Sequence, residues 1–444
     1  MAQESRIFMR MGFSLWACAI LGFEGEFMSI QSSSSASRIE QLEVHLRTNR
    51  YAAGIQRSYL WLAQQFVDYL ETTSIAIESV RVPELEDFLR WELRTWSSRN
   101  GRAPRNLVQW RRRYKSAIHM LLRLVHGRWP VEAAPTTVLE AFHHDLIQAY
   151  DTWLRDLRGL ASVTRSKRTK HALEFLTALG SSGDQAGLAQ LRVRNIDAYV
   201  QQHCAGLRRR TIEGRTVYLR SFLRYLHGSG RIPLDLSSTV MGPRIYDDEG
   251  IPSALRPEEV RAVLEVTRQD FSPTGRRDYA FLMLLATYGL RAGEIVGLLL
   301  EDIDWKKEIL RVRHSKTGTD SELPLLREPG EAVLSYLENA RPESERREVF
   351  LHVHAPYRAY KNGSILNCVI SARLKAAGIT PLGRKGPHAF RHARAVSLLR
   401  ASVPLKIIGD VLGHKSPAST GVYLKLATED LRAVGLNIPE KALP

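Results

Sequence analysis

The stretch ILRVRHSKTGTDSELPL, residues 309–325, decides how this chain is read, because the spacing of its apolar residues breaks with everything around it. Ile309 to His314 alternates apolar and polar positions, and Glu322 to Leu325 does so again. Ser315 to Asp320 between them is polar with one glycine, so the stretch predicts a β-hairpin. On both sides the period returns to that of a helix. Upstream, DYAFLMLLATY (278–288) is apolar on nearly every face, as a helix inside a core must be. Before it, Arg256-Pro257-Glu258-Glu259 places a proline and two acids in a first helical turn. Downstream, helices resume from Glu331, and Ala393, Val396 and Leu399 recur at helical spacing. The expected fold is mainly α, with a small β-sheet in the C-terminal domain.

Further upstream, Thr239 to Ser253 holds two prolines, two glycines and an acidic cluster, which predicts a linker over 241–253 and a C-terminal domain over 254–444. Two helical stretches precede it, over 38–135 and 136–240. The first carries Ile39, Leu42, Leu46 and then Tyr59, Leu62, Phe66, Tyr69, Leu70; the second carries Leu173, Leu176, Leu179 and then Val217, Ser221, Phe222, Tyr225, Leu226. Each offers a short helix, then a longer one ending near Phe66–Leu70 or Phe175–Leu179. VRVPELEDFL (80–89) or LRVRNIDAYV (191–200) follows, and each closes on a basic-aromatic helix, YKSAIHMLLRLVHG (114–127) or VYLRSFLRYLHG (217–228). This order reads as a diverged duplication of one small helical domain.

At 444 residues the chain has room for two or three domains with proper cores. Its 63 Lys and Arg against 47 Asp and Glu leave a net charge of +16, which points to a polyanionic partner, nucleic acid ahead of an anionic membrane surface. A hydrophobic content of 44% excludes a wholly disordered basic tail. Cys18, Cys204 and Cys368 form no Cys-x-x-Cys pair, so neither a disulfide framework nor a cysteine zinc site is expected, and a cytoplasmic compartment fits. Residues 1–37 read as an N-terminal extension, disordered or not translated, with Met28 as an alternative start. Its apolar run 11–23 behind Arg6 and Arg10 is shaped like a signal peptide. It is too short to span a bilayer, and Glu24 and Glu26 follow it without a small-residue cleavage site.

Three local features carry chemistry. Arg291 comes just after the buried helix, and Glu294, three residues on, can hold its guanidinium rigid while it faces a phosphate. His388, Arg391 and His392 share one helix edge. The i, i+4 histidine pair would suit zinc, but Ala389 stands where a zinc-protease helix carries its glutamate, so no metal is expected. The third feature is VLGHKSPASTGVY (411–423), with Gly413-His414 followed nine positions after the histidine by Tyr423. Here the sequence resembles the tyrosine recombinases, or phage integrase family, which includes the Xer recombinases and lambda integrase. Arg291, Lys316, His388, Arg391, His414 and Tyr423 match, in order, the six positions of that family's active site.

The resemblance covers roughly 251–428. More loosely it covers 138–236, which is similar to the family's helical core-binding domain; a second such domain ahead of it is less usual. It implies tandem helical core-binding-like domains followed by a tyrosine recombinase catalytic domain, in a site-specific DNA recombinase, the integrase or transposase of a mobile element. Tyr423 would attack the scissile phosphate to give a 3′-phosphotyrosine and a free 5′-hydroxyl, with no ATP, metal or other cofactor. Arg291 and Arg391 would stabilise phosphorane charge, and Lys316 would protonate the 5′-oxygen. The resemblance also implies that His388 assists proton transfer at Tyr423 and that His414 donates to the phosphate, with Glu294 and His392 behind them.

The implied partners are double-stranded DNA, further copies of the chain as a tetramer on two duplexes, and accessory DNA-bending or sister recombinase proteins; no membrane is expected. Basic runs that could track phosphates are Arg111, Arg112, Arg113 and Lys115; Arg165, Lys167, Arg168 and Lys170; and Arg208, Arg209 and Arg210. The tail 425–444 is expected to pack on a neighbouring copy. A type IB topoisomerase would run the same chemistry, but tandem helical domains favour the recombinase. A regulator that kept the fold and lost catalysis is disfavoured by the six intact positions.

Overall fold

The computed structural model describes residues 25–131, 134–245, 254–314, 318–381, 383, 385–414, 420–421 and 423. The apolar run 11–23, the centre of the expected linker, Lys316 and the tail 425–444 lie outside the described residues. Among the described residues, those up to 131 together with those from 254 onward form one compact unit, and those of 134–245 form another.

The first helices are α1 (Gly25–Thr48), α2 (Ala53–Thr72), α3 (Val82–Asn100) and α4 (Leu107–His126). They share a core of their own, in which Leu42, Leu46, Phe66, Phe88, Ile118, Leu121 and Leu122 are fully or almost fully buried. Asn106 caps α4 by accepting from the Gln109 amide at 2.9 Å. Under this core Glu92 is fully buried and accepts from the Tyr114 hydroxyl at 2.9 Å.

The second unit holds α5 (Val138–Asp156), α6 (Ser162–Ala178), α7 (Gln185–Ala189), α8 (Val193–Cys204) and α9 (Arg209–Gly228). The two sets of helices share two local features. Phe66 meets Phe88 edge-on at 5.0 Å between ring centroids, and Phe175 meets Tyr199 edge-on at the same 5.0 Å. The helices α3 and α8 start alike: the Arg81 amide donates to Glu84 at 2.8 Å, and the Arg192 amide to Asn195 at 3.1 Å.

The C-terminal residues form α10 (Pro257–Arg268), α11 (Pro273–Tyr288), α12 (Ala292–Val296), β1 (Ile303–Asp304), β2 (Ile309–His314), β3 (Thr319–Pro324), α13 (Arg327–Asn339), α14 (Ile365–Ala376), α15 (Pro387–Arg400) and α16 (Leu405–Val411). The hairpin is where the alternation placed it, in an antiparallel sheet of order β1-β2-β3 with Ile309 opposite Pro324 and His314 opposite Thr319. Its turn is shorter than expected, because β3 already starts at Thr319; α13 likewise begins at Arg327 rather than Glu331. Leu310, Val312 and His314 of β2 face inward, while Arg311 and Arg313 face out.

Helix α11 is the axis of this part. It packs against α10, α13, α14 and α15, which is why residues 280–285 are apolar without interruption. Its end fixes the site. Gly289 adopts φ +66° at the C-cap, and a Cβ there would come within 2.8 Å of Leu412 Cδ2. Gly378 has φ +67°, but a Cβ there meets nothing within 4 Å. Backbone strain of about 1–3 kcal/mol is expected for alanine at either position. Gly289→Ala adds a steric clash, so it should lower the urea unfolding midpoint further than Gly378→Ala; equal shifts would show that Leu412 yields freely.

Candidate active site

The site is assembled around the main chain that follows α11 and the main chain that follows α16. Arg291 is the N-cap of α12, and its amide donates to Glu294 Oε2 at 2.7 Å. Its guanidinium spans two segments, Nη1 donating to Glu294 Oε1 at 2.6 Å and Nη2 to the Gly413 carbonyl at 2.9 Å. Arg391, in the second turn of α15, is only 3% exposed. Its Nη1 donates to the Gly289 carbonyl at 2.7 Å and its Nη2 to the Leu412 carbonyl, and its charge acts on the nearby Tyr423 phenol. Two arginines from different helices are therefore pinned by carbonyls of consecutive residues, 412 and 413, which sets the spacing between two forked cations.

Tyr423 lies in a small apolar cluster with Ala395, Ile408 and Leu412 and is 2% exposed. Its ring meets that of His392 at 5.3 Å, edge-on, and stacks over His414 at 6.0 Å. Burial raises the pKa of its phenol, while the Arg391 guanidinium acts in the opposite direction. His388, one turn before His392, is exposed on the same edge of α15, with the two rings 6.2 Å apart. His414 Nδ1 lies 2.8 Å from Thr420 Oγ1. Burial, and then the nearby charges of Arg391 and Arg291, push the His414 pKa down to about 4, so its imidazole is neutral at pH 7.

Glu294 is the acid that balances these cations. Desolvation would raise its pKa, but hydrogen bonds from His314 and Arg291 outweigh that and bring it below the ordinary range, so it stays ionised. Arg391 is shifted down by burial and by the neighbouring Arg291. The pocket thus carries two buried or half-buried guanidiniums against one carboxylate, an excess of positive charge that suits a phosphodiester.

The structure brings together Arg291, Glu294, Arg391, His392, His414 and Tyr423, with His388 at the exposed edge; Lys316 is outside the described residues. One residue of this constellation, His314, was not anticipated. His314 joins Glu294 to Ser321, and Gly413 packs its Cα on the His314 ring. The signal for His314 was present in the sequence, a polar residue at an inward-facing position of an alternating strand. Among the described residues, no group of three or more His, Cys, Asp or Glu is placed to hold a metal ion. No helix among them is long and apolar enough to cross a membrane.

The basic runs are less uniform than their sequence. Arg111 and Lys115 both pair with Glu86, and Arg113 donates to Ser58. Arg165 pairs with Asp151 at 2.9 Å, Arg168 donates to the Ser221 hydroxyl that also accepts from Tyr150, and Lys170 lies 3.9 Å from Glu174. Arg209 donates to the Arg244 carbonyl. Arg112, Lys167, Arg208 and Arg210 are exposed.

Residues 253–430 match the model of the phage integrase family. A Sinorhizobium fredii protein named as an integrase/recombinase, y4gC, is 53% identical over 189 residues, which is 43% of this chain and 97% of that protein. The chain belongs to the phage integrase family. A second Sinorhizobium fredii integrase/recombinase, y4rA, is 38% identical over 296 residues, 67% of this chain and 71% of the relative. The tyrosine recombinase XerC of Roseiflexus sp. is 31% identical over 48% of this chain and 67% of its own length. A crystal structure of a lambda integrase (75–356) dimer bound to a COC′ core site aligns with a TM-score of 0.49 and 18% identity, covering 67% of this chain and 99% of that one. As a member of the phage integrase family, the protein is a site-specific DNA recombinase of the tyrosine type.

The His414 shift has a consequence for stability. Its pKa is depressed in the folded chain, so the folded state is favoured above the ordinary value of 6.5, and that advantage is lost as pH falls toward about 4. The wild type should lose stability more steeply between pH 6.5 and 4 than His414→Gln, read by urea denaturation at a series of pH values. Parallel curves would show that His414 titrates normally.

Proposed function

We propose that the protein breaks and rejoins duplex DNA through a 3′-phosphotyrosine at Tyr423. The observation that carries this reading is that Arg391 and Arg291 are pinned to the consecutive carbonyls 412 and 413, with Tyr423 packed in the apolar cluster of Leu412 and within the field of both guanidiniums. Tyr423 Oη forms a bond to the scissile phosphorus, and the bond to the 5′-oxygen breaks, so the phosphoester is conserved and religation needs no ATP. Arg291 and Arg391 direct N–H groups at the non-bridging oxygens as charge develops there, the role a metal ion fills elsewhere. The Arg391 guanidinium beside the Tyr423 phenol is a ready anchor for the phosphate that the hydroxyl attacks.

In the tautomer whose Nδ1 accepts from the Thr420 hydroxyl, neutral His414 offers Nε2–H as a further donor, and a neutral imidazole adds no positive charge beside the two arginines. His388 at the exposed edge is the candidate for relaying the phenol proton. Lys316, in the hairpin turn, is the candidate acid for the 5′-oxygen. The residues 38–135 and 136–240 then act as helical modules that hold the duplex, with exposed Arg112, Lys167, Arg208 and Arg210 as the first phosphate contacts to test. Exchange between two duplexes needs four such active sites, hence a tetramer, and the naming of the Sinorhizobium relatives as integrase/recombinase supports a mobile-element role in the cytoplasm.

The test uses nicked duplexes made from DNA flanking the protein's own gene. Wild type should give a detergent-resistant protein–DNA adduct, and Tyr423→Phe should bind the same DNA without forming one. An adduct persisting in Tyr423→Phe would remove Tyr423 as nucleophile. Arg391→Ala should cut adduct formation roughly 100-fold or more. Binding without adduct from wild type would favour a regulator.

A further inference from the structure

His314 has no place among the six positions matched in the sequence, yet it sits at the junction of three catalytic segments. It ends β2, is 1% exposed, and faces the core from the strand edge where a leucine or valine would be ordinary. Its Nδ1 is 2.8 Å from Glu294 Oε1, the same oxygen that accepts from Arg291. Its Nε2 is 3.0 Å from Ser321 Oγ, on the facing strand β3. The ring also lies against Gly413, where a Cβ would come within 2.5 Å of His314 Cε1. Gly413 has φ +62°, and its carbonyl is the one that holds Arg291. Glycine is therefore required there twice, for its left-handed backbone and for its missing side chain.

We infer that His314 is a positioning residue that locks the β2–β3 hairpin to the Arg291–Glu294 pair and to the Gly413–His414 segment. The inference rests on the proposed function above. The ionised Glu294 carboxylate can only accept, so His314 donates to it from Nδ1, while Nε2 on the far side of the ring engages the Ser321 hydroxyl. One imidazole thus cross-links both strands at the base of the hairpin turn to the carboxylate that orients Arg291. Lys316 follows His314 by two residues in the sequence, and it is the group proposed to protonate the leaving 5′-oxygen. Anchoring both strands fixes His314 and Thr319, the described residues on either side of that turn, relative to Arg291 and Gly413. Such supporting hydrogen bonds commonly govern activity by roughly 10–100-fold.

A leaving-group substitution separates this role from a general contribution to folding. With oxygen at the 5′ bridging position, the P–O5′ bond breaks as Tyr423 Oη bonds phosphorus, and O5′ must take a proton. With sulfur there, the group departs as a thiolate, whose conjugate thiol has a pKa of about 8.5, and no proton donor is needed. Single-turnover cleavage would be measured on both duplexes for wild type, Lys316→Ala, His314→Ala and Ser321→Ala, with circular dichroism of each. His314→Ala should cleave the oxygen substrate roughly 10–100-fold more slowly than wild type. Ser321→Ala should show a smaller loss, and both should regain most of the wild-type rate on the sulfur substrate, as Lys316→Ala does.

Rescue of Lys316→Ala without rescue of either hairpin variant would overturn the positioning role while leaving the acid in place. Wild-type rates for both hairpin variants on oxygen would overturn it as well. Failure to rescue Lys316→Ala itself would remove the acid assignment, and the inference resting on it, whatever His314→Ala did. Should His314→Ala lose its fold, Ser321→Ala decides, because its hydroxyl is half-exposed and its removal leaves Glu294 untouched.

Discussion

Two guanidiniums held side by side in a nearly closed pocket repel one another, and the rest of the catalytic half is arranged around that constraint. Coulomb repulsion between like charges at such range is reduced by water at a surface, but Arg391 has almost none to call on. The chain meets the cost with oriented carbonyls and one carboxylate. Gly289 and Leu412 accept from Arg391, Gly413 and Glu294 accept from Arg291, and Glu294 is kept ionised by the hydrogen bonds it receives. The fixed dipoles therefore hold both guanidiniums in place without help from solvent.

This arrangement explains several residue choices that look unrelated in the sequence. Gly289 must turn the chain tightly beneath Leu412, Gly413 must turn it against His314, and both then expose carbonyls to the arginines. His414 follows a carbonyl already committed to Arg291, and the resulting field, with burial, keeps its ring neutral. Tyr423 is drawn in by the apolar cluster of α15 and α16 and stays tethered through Arg391. The catalytic half therefore depends on α11 and α16 ending where they do. Their apolar residues are as much a part of the chemistry as the charged ones.

The helical half uses a different economy. Two groups of helices repeat one packing scheme, with an edge-on aromatic pair at the same 5.0 Å separation in each. Much of the basic character along these helices is spent internally, as with Arg111 and Lys115 on Glu86 and Arg165 on Asp151. Net charge alone overstates the surface offered to a polyanion. The exposed arginines and lysines between these pairs, rather than the runs as wholes, define what is available to phosphates.

The sequence by itself determined what depends on neighbours in the chain. The hairpin came from alternation at 309–325 and α11 from an unbroken apolar run, while the expectations of a duplication and of a catalytic set came from the order of residue types. All are patterns of side-chain chemistry at short range. Tertiary structure alone decided which carbonyls face which guanidiniums, that His314 bridges Glu294 and Ser321, and that Arg111, Lys115, Arg165 and Lys170 are already paired with carboxylates. Those facts depend on the direction of peptide groups and on contacts between residues as distant as Arg291 and Gly413, 122 positions apart. No local period encodes such a direction, because it is set only when α11, α15 and α16 pack together and leave their ends facing one another.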